Sequence, residues 1–176
     1  MSGCATFEST PPLNTLITQQ WQFTGKFAVR TPEEKKSAKM HWSQINDQYD
    51  INLYTLFGIS LMSIIGDDRQ VAINISGDEY VSVNAQQLIY RLTRWHLPVN
   101  DLQNWVTGTV HHATDVEYDT QGYFYQGNIT SEDNKQWQLT LSHYKDIDGK
   151  PRPHKLLLKS GKTYFKLAIS QWKIQH

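Results

Sequence analysis

The stretch Asp50-Ile-Asn-Leu-Tyr-Thr-Leu-Phe-Gly-Ile-Ser-Leu-Met-Ser-Ile-Ile-Gly66 decides the fold. Its first half alternates, with Ile51, Leu53 and Thr55 against Asp50, Asn52 and Tyr54. Its second half alternates again from Ile59. Two period-2 runs about a short glycine-containing joint predict a β-hairpin. The joint itself, Leu56-Phe57-Gly58, is unusual. Hairpin loops favour Asn, Asp, Gly or Pro, which accept turn dihedrals and tolerate water. Gly58 meets that need, whereas Leu56 and Phe57 put bulky apolar groups where solvent is expected. The second strand has Ile59, Leu61 and Ile65 on one face and Met62 and Ile64 on the other. Such a strand is buried on both faces or meets something apolar outside its own core.

Working outward, residues 21–30 alternate Trp21, Phe23, Gly25, Phe27 and Val29 with polar positions, and Ala38, Met40 and Trp42 do the same. A charged connection at 31–36 joins these two strands. Val71, Ile73 and Ile75 form a fifth strand and residues 80–83 a sixth, which makes an antiparallel meander. The period then changes. Asn84 is suited to cap a helix carrying Leu88, Ile89, Leu92 and Trp95, and Leu97-Pro98 stops it. Asn100 is suited to cap a second short helix with Leu102, Trp105 and Val106, ended by Gly108. Strands resume at 116–118, 123–129, 136–143, 155–160 and 164–172, with a longer loop at 146–153. A short helix is expected at 13–20. Ten or eleven strands in one domain must curl, because a long exposed edge invites aggregation. The expected fold is mainly β with a few helices. A single curled antiparallel sheet forms a half-open β-barrel with a helical lid, at residues 15–176.

Composition narrows the function. The 17 basic and 17 acidic side chains cancel, giving no electrostatic reason to expect a nucleic acid partner. Six Trp, nine Tyr and six Phe suit a large core or an apolar ligand cavity. No apolar run approaches the about 20 residues of a membrane helix. The seven His are scattered, and no third ligand accompanies His111-His112 at metal spacing. There is no nucleophile elbow, no phosphate-cradling glycine loop and no paired reactive Cys. The expectation is a protein that is not an enzyme and carries no cofactor and no metal. Cys4, the single cysteine, reads either as a free thiol in a tail or as the end of a bacterial lipobox, Ser2-Gly3-Cys4. In the second case an initiator Met stands where a hydrophobic leader belongs. Residues 1–14 then comprise a lipobox remnant and a flexible tether.

The chain resembles the LolB family of outer-membrane lipoprotein receptors over residues 21–172. The resemblance rests on the order and spacing of several elements. These are Gly25-Lys-Phe-Ala-Val29, Trp42, an apolar residue before Gly58, Leu97-Pro-Val-Asn-Asp-Leu-Gln-Asn-Trp-Val-Thr-Gly108, and Leu167-x-Ile169-x-x-Trp172. Cys4 falls where the family carries its lipid anchor, and Ala5 permits outer-membrane delivery where Asp would favour inner-membrane retention. The family loop often reads Pro-Leu-Gly, and here Phe57 takes the Leu position while Leu56 shares or holds the role. The resemblance implies a monomer on the periplasmic face of the outer membrane. It would accept lipoproteins from the periplasmic carrier LolA, hold their acyl chains in an apolar cavity, and insert them into the inner leaflet. Leu56, Phe57 and Gly58 would form the membrane-insertion loop, unless the tip folds back or meets a protein. Inward alternation and the aromatic excess nominate Trp42, Leu53, Leu61, Ile73, Leu88, Leu92, Trp105, Trp137 and Trp172 as cavity residues. A ligand-sized cavity measures about 300 Å³ or more. Two rival readings are a soluble LolA-type carrier without an anchor, and a structural lipoprotein with a filled core.

Overall fold

The computed structural model describes residues 20–175. Cys4, the tether and all but the last residue of the helix expected at 13–20 lie outside them; Gln20 itself opens the first strand. The N-terminal strands are β1 (Gln20–Arg30), β2 (Lys35–Ile45), β3 (Gln48–Tyr54), β4 (Ser60–Gly66), β5 (Val71–Ile75) and β6 (Asp78–Ser82). Two helices follow, α1 (Ala85–Thr93) and α2 (Val99–Trp105). The chain returns through β7 (Thr114–Tyr118), β8 (Phe124–Thr130), β9 (Gln136–Ser142), β10 (Lys145–Ile147), β11 (Lys150–Arg152), β12 (Lys155–Ser160) and β13 (Thr163–Gln175).

Eleven of these strands form one antiparallel sheet in the order β6-β5-β4-β3-β2-β1-β13-β12-β9-β8-β7. Two meanders, one from each half of the chain, are joined down the middle by the long β1–β13 pair. The sheet does not close: β6 and β7 lie at opposite edges, and α1 and α2 connect them. A chain that leaves one edge and returns at the other crosses the apolar face on its way. The result is an open barrel whose lid is its own connection. Burial alternates along the central strands, with Phe27, Val29, Met40, Trp42, Phe165 and Leu167 turned inward beneath the helices. One end of the interior is filled by aromatics. Phe23 lies 5.0 Å from Trp172 and 5.7 Å from Trp42, ring centre to ring centre, and Trp21 lies 5.5 Å from Trp172.

Local chemistry explains most boundaries. Asn84 Oδ1 accepts the Gln87 N–H at 2.8 Å and caps α1, as its side chain suits it to do. That helix stops at Thr93, earlier than the spacing of Trp95 suggested, because Arg94 turns left-handed at φ 65°. α2 begins one residue before Asn100, with Pro98 at the cap position and no side-chain cap. Proline tolerates a helix start because the N–H it lacks would be unpaired there. Part of the charged connection at 31–36 is strand, since β2 begins at Lys35. The loop at 146–153 holds the small β10–β11 hairpin, whose two-residue turn is Asp148-Gly149, both at positive φ.

Gly25 marks the point where β1 changes register. Thr24 pairs with Gln171 and Gly25 with Ile169, so Ser170 is an extra residue in β13. The Ser170 hydroxyl donates to the Thr24 carbonyl at 3.0 Å. A Cβ on Gly25 would stand 2.5 Å from the Ala168 carbonyl oxygen. Backbone cannot yield there as a side chain would, so Gly25→Ala is expected to destabilise the fold by about 1–3 kcal/mol, the usual range for overpacking. Urea denaturation checks this; an unchanged midpoint would show that the bulge accommodates a side chain.

Candidate functional site

Three elements make up the candidate site. The first is an interior space of about 40 Å³ between the sheet and the lid. Phe27, Met40, Leu53 and Met62 wall it on the sheet side, and Ile89 and Leu102 on the lid side. Its walls are apolar, and it is large enough for the end of a hydrocarbon chain, well short of a ligand-sized cavity. The second element is a pair of polar ties that hold the lid. Buried Gln44 accepts from Trp42 Nε1 at 3.1 Å and donates to Gln103 Oε1 of α2 at 3.1 Å. At the other end, Trp95 Nε1 donates to the Glu34 carboxylate, which also meets Lys36 at 2.6 Å. The hydrogen bonds from Lys36 and Trp95 hold the Glu34 carboxyl below its usual range. Asp101 on α2 behaves oppositely: burial first, then the charges of Glu132 and Asp133, push its carboxyl up.

The third element is the β3–β4 hairpin tip at 55–59. The Thr55 N–H donates to the Ile59 carbonyl at 2.8 Å and the Gly58 N–H to the Thr55 carbonyl at 3.1 Å. Gly58 lies at φ +85°, a conformation costly for any residue with a Cβ. Lys39 Nζ donates to the Leu56 carbonyl at 3.0 Å. The tip is closed by its own backbone, and its side chains are left outside. Phe57 is 93% exposed and Leu56 69%.

A family model described as outer membrane lipoprotein LolB matches residues 19–172. The chain belongs to the LolB family. It is 34% identical over 155 residues to the outer-membrane lipoprotein LolB of Tolumonas auensis, covering 88% of this chain and 77% of that one. Against the outer-membrane lipoprotein LolB of Aeromonas hydrophila it is 31% identical over 185 residues, 99% of this chain and 91% of that one. The fold is similar to the crystal structure of a LolA superfamily protein from Nitrosomonas europaea. The TM-score is 0.55 at 9% identity, over 92% of this chain and 88% of that one.

Of the nine cavity positions that alternation and the aromatic excess nominate, Trp42 and Leu53 line the interior space. Ile73, Leu88, Trp105, Trp137 and Trp172 are buried in the solid core around it, and Leu92 is half-buried against that core. Leu61 is a correction: it is 43% exposed and faces outward. Leu53 pairs with Met62, and cross-strand partners share a face. Because Leu53 is inside, Met62 is inside and Leu61 outside. A register shift between Leu53 and Tyr54 sets that parity, and alternation alone does not reveal it in a strand apolar on both faces. Leu61 and Ile59, 64% exposed, instead extend the apolar surface of the tip. Met40, Phe27, Ile89 and Leu102 follow the same alternations that nominated Trp42 and Leu88, and parity would have found them. Among the described residues no group of three or more His, Cys, Asp or Glu is placed to hold a metal, and no helix is long and apolar enough to cross a membrane.

The Glu34–Trp95 tie generates an expectation about the lid. Trp95→Phe keeps the ring and removes the donor, at a cost of about 1 kcal/mol. Amide exchange in α1 should accelerate while exchange in β1 and β13 stays unchanged. The pH dependence has a definite sign. A carboxyl with a depressed folded pKa contributes stability above its unfolded pKa and loses it as pH falls through the folded value. Lid protection due to this tie should therefore fade on acidification below the ordinary Glu range, and Trp95→Phe should be less sensitive there. Equal α1 exchange in both proteins at neutral pH would remove the tie from the account.

Proposed function

We propose that the protein receives lipoproteins from the soluble carrier LolA, shelters their acyl chains between sheet and lid, and inserts them into the outer membrane. Cys4 carries the lipid anchor that keeps the barrel, a monomer, at the periplasmic face of that membrane. The observation that carries this reading is Phe57, fully projected at the apex of an otherwise self-satisfied hairpin, with Leu56, Ile59 and Leu61 exposed beside it. Burying a large apolar side chain gains about 1.5–3 kcal/mol. Leu56 and Phe57 together bring the barrel to a bilayer and release it again, whereas firm anchoring needs more than one fatty chain.

Cargo binding requires the lid to move, since the closed interior holds about 40 Å³. The Gln44–Gln103 and Glu34–Trp95 ties are polar contacts that water can replace. The apolar contacts between them are replaced in kind by methylene groups. No covalent bond is made or broken, so the protein acts as a binding and transfer device.

Phe57→Glu or Leu56→Glu should leave folding and reception of cargo from the carrier intact while slowing insertion into liposomes several-fold. Reception and insertion are measured separately on the same variants. Insertion at the unmodified rate by both would remove the tip from the membrane step. A folded Cys4→Ala protein should still accept cargo, because the anchor supplies location and the barrel supplies binding.

A further inference from the structure

Strands β2, β1, β13 and β12 lie side by side in the middle of the sheet. They carry nine Lys and Arg side chains and no Asp or Glu. In a chain whose 17 bases and 17 acids cancel, this is segregation of charge. Register places most of these cations on the outer face. In one row Lys35 pairs with Arg30, Arg30 with Tyr164, and Tyr164 with Lys159. In another, Tyr54 pairs with Lys39 and Lys39 with Lys26, while Lys166 lies between the rows beside Ala28. All six cations are exposed. The inner positions of the same strands hold Phe27, Met40 and Phe165.

At the end of this face the β1–β2 connection and the β12–β13 turn bound an open cleft of about 630 Å³. Arg30, Lys35, Lys159, Lys162 and Tyr164 line it, together with Glu33 and Glu34, and Glu34 is already engaged by Lys36 and Trp95. Arg30 donates to the Tyr164 hydroxyl at 3.1 Å. That hydrogen bond, with the charges of Arg30, Lys35 and Lys166, outweighs desolvation and holds the phenol below its usual range. The cleft lies at the same end of the barrel as the apolar tip, and Lys39 of the same face bonds the Leu56 carbonyl.

We propose that this outer face, with the cleft at its end, seats anionic phospholipid headgroups while the hairpin tip enters the acyl layer beneath them. It rests on the membrane role proposed for the tip and adds the lipid class that role selects. Charge complementarity favours a lipid surface over an acidic protein because the cations flank an apolar tip. A bilayer presents anionic phosphate above hydrocarbon in that same arrangement. One weak apolar contact and one cationic patch are the two signals that together make peripheral attachment productive.

The test is binding of the full chain to phosphatidylcholine vesicles and to vesicles of equal phosphatidylcholine and phosphatidylglycerol. The unmodified protein should prefer the mixed vesicles, and the preference should shrink as salt shortens the screening length. The triple variant Lys26→Gln, Lys159→Gln, Lys166→Gln should lose about fivefold per charge, about a hundredfold in all, on mixed vesicles and nothing on neutral ones. Equal binding of the unmodified protein to both vesicle types overturns the proposal, and so does a folded triple variant with undiminished binding to mixed vesicles. A triple variant that keeps vesicle binding but loses capture of cargo from the carrier also overturns it, assigning the face to an acidic protein instead. Phe57→Glu separates the two readings. It should weaken binding to both vesicle types, and if neutral vesicles bind it unchanged the tip reading fails while the charge result stands.

Discussion

An eleven-stranded sheet with one apolar face must be covered, and here the segment that joins its two edges is the cover. Most other features follow from that constraint. Because α1 and α2 span from β6 to β7, the sheet curls around them instead of stacking on a second layer. Curling brings inward residues from both meanders into one core with the helices. It does not bring the edges together. β6 carries Asp78 and Glu79, and β7 carries Asp115 and Glu117. Acidic edges discourage strand addition, whether from another molecule or from the opposite edge.

The same residues account for the distribution of charge. Acids gather on the edge strands and turns, where they protect exposed backbone, and the four middle strands are left cationic outside and apolar inside. A neutral total therefore conceals a polarised surface. Net charge describes solubility and long-range behaviour, and the face a partner meets depends on where the charges sit.

Much of this architecture was legible in the sequence because period-2 alternation and helix caps are local signals. Asn84 announced α1, and the change of period between residues 83 and 85 announced the lid. The small β10–β11 hairpin has a strong turn signal in Asp148-Gly149, but its strands of three residues each are too short to show alternation. The early stop at Arg94 had no local signal, since Arg is not a usual left-handed residue. The site was harder to read. Exposure of Leu56 and Phe57 followed from their place in a turn. The inside and outside of β4 depend on a register shift at Tyr54 in the β3–β4 hairpin, which alternation within either strand does not reveal, and that shift turns Leu61 outward. Size was harder still. Alternation identifies which side chains point inward, but the few ångströms between sheet and lid depend on how those side chains interdigitate.

The narrowness of the interior bears on how such a protein could release what it holds. Each buried methylene is worth about 0.8 kcal/mol, so three fully buried long chains would exceed the about 20 kcal/mol at which affinities saturate. A permanently open cavity of matching size would hold them too well. A lid that closes on its own apolar face changes the balance. Opening it exposes Ile89, Leu102 and the sheet residues beneath them, and breaks two polar ties. Net affinity is then the gain from acyl contacts minus the loss of lid–sheet contacts, two quantities of the same chemical kind. The bilayer offers the chains a comparable apolar environment without that subtraction. On the proposed function, transfer from barrel to membrane runs downhill without an external energy source, driven by recovery of the closed lid as the chains leave.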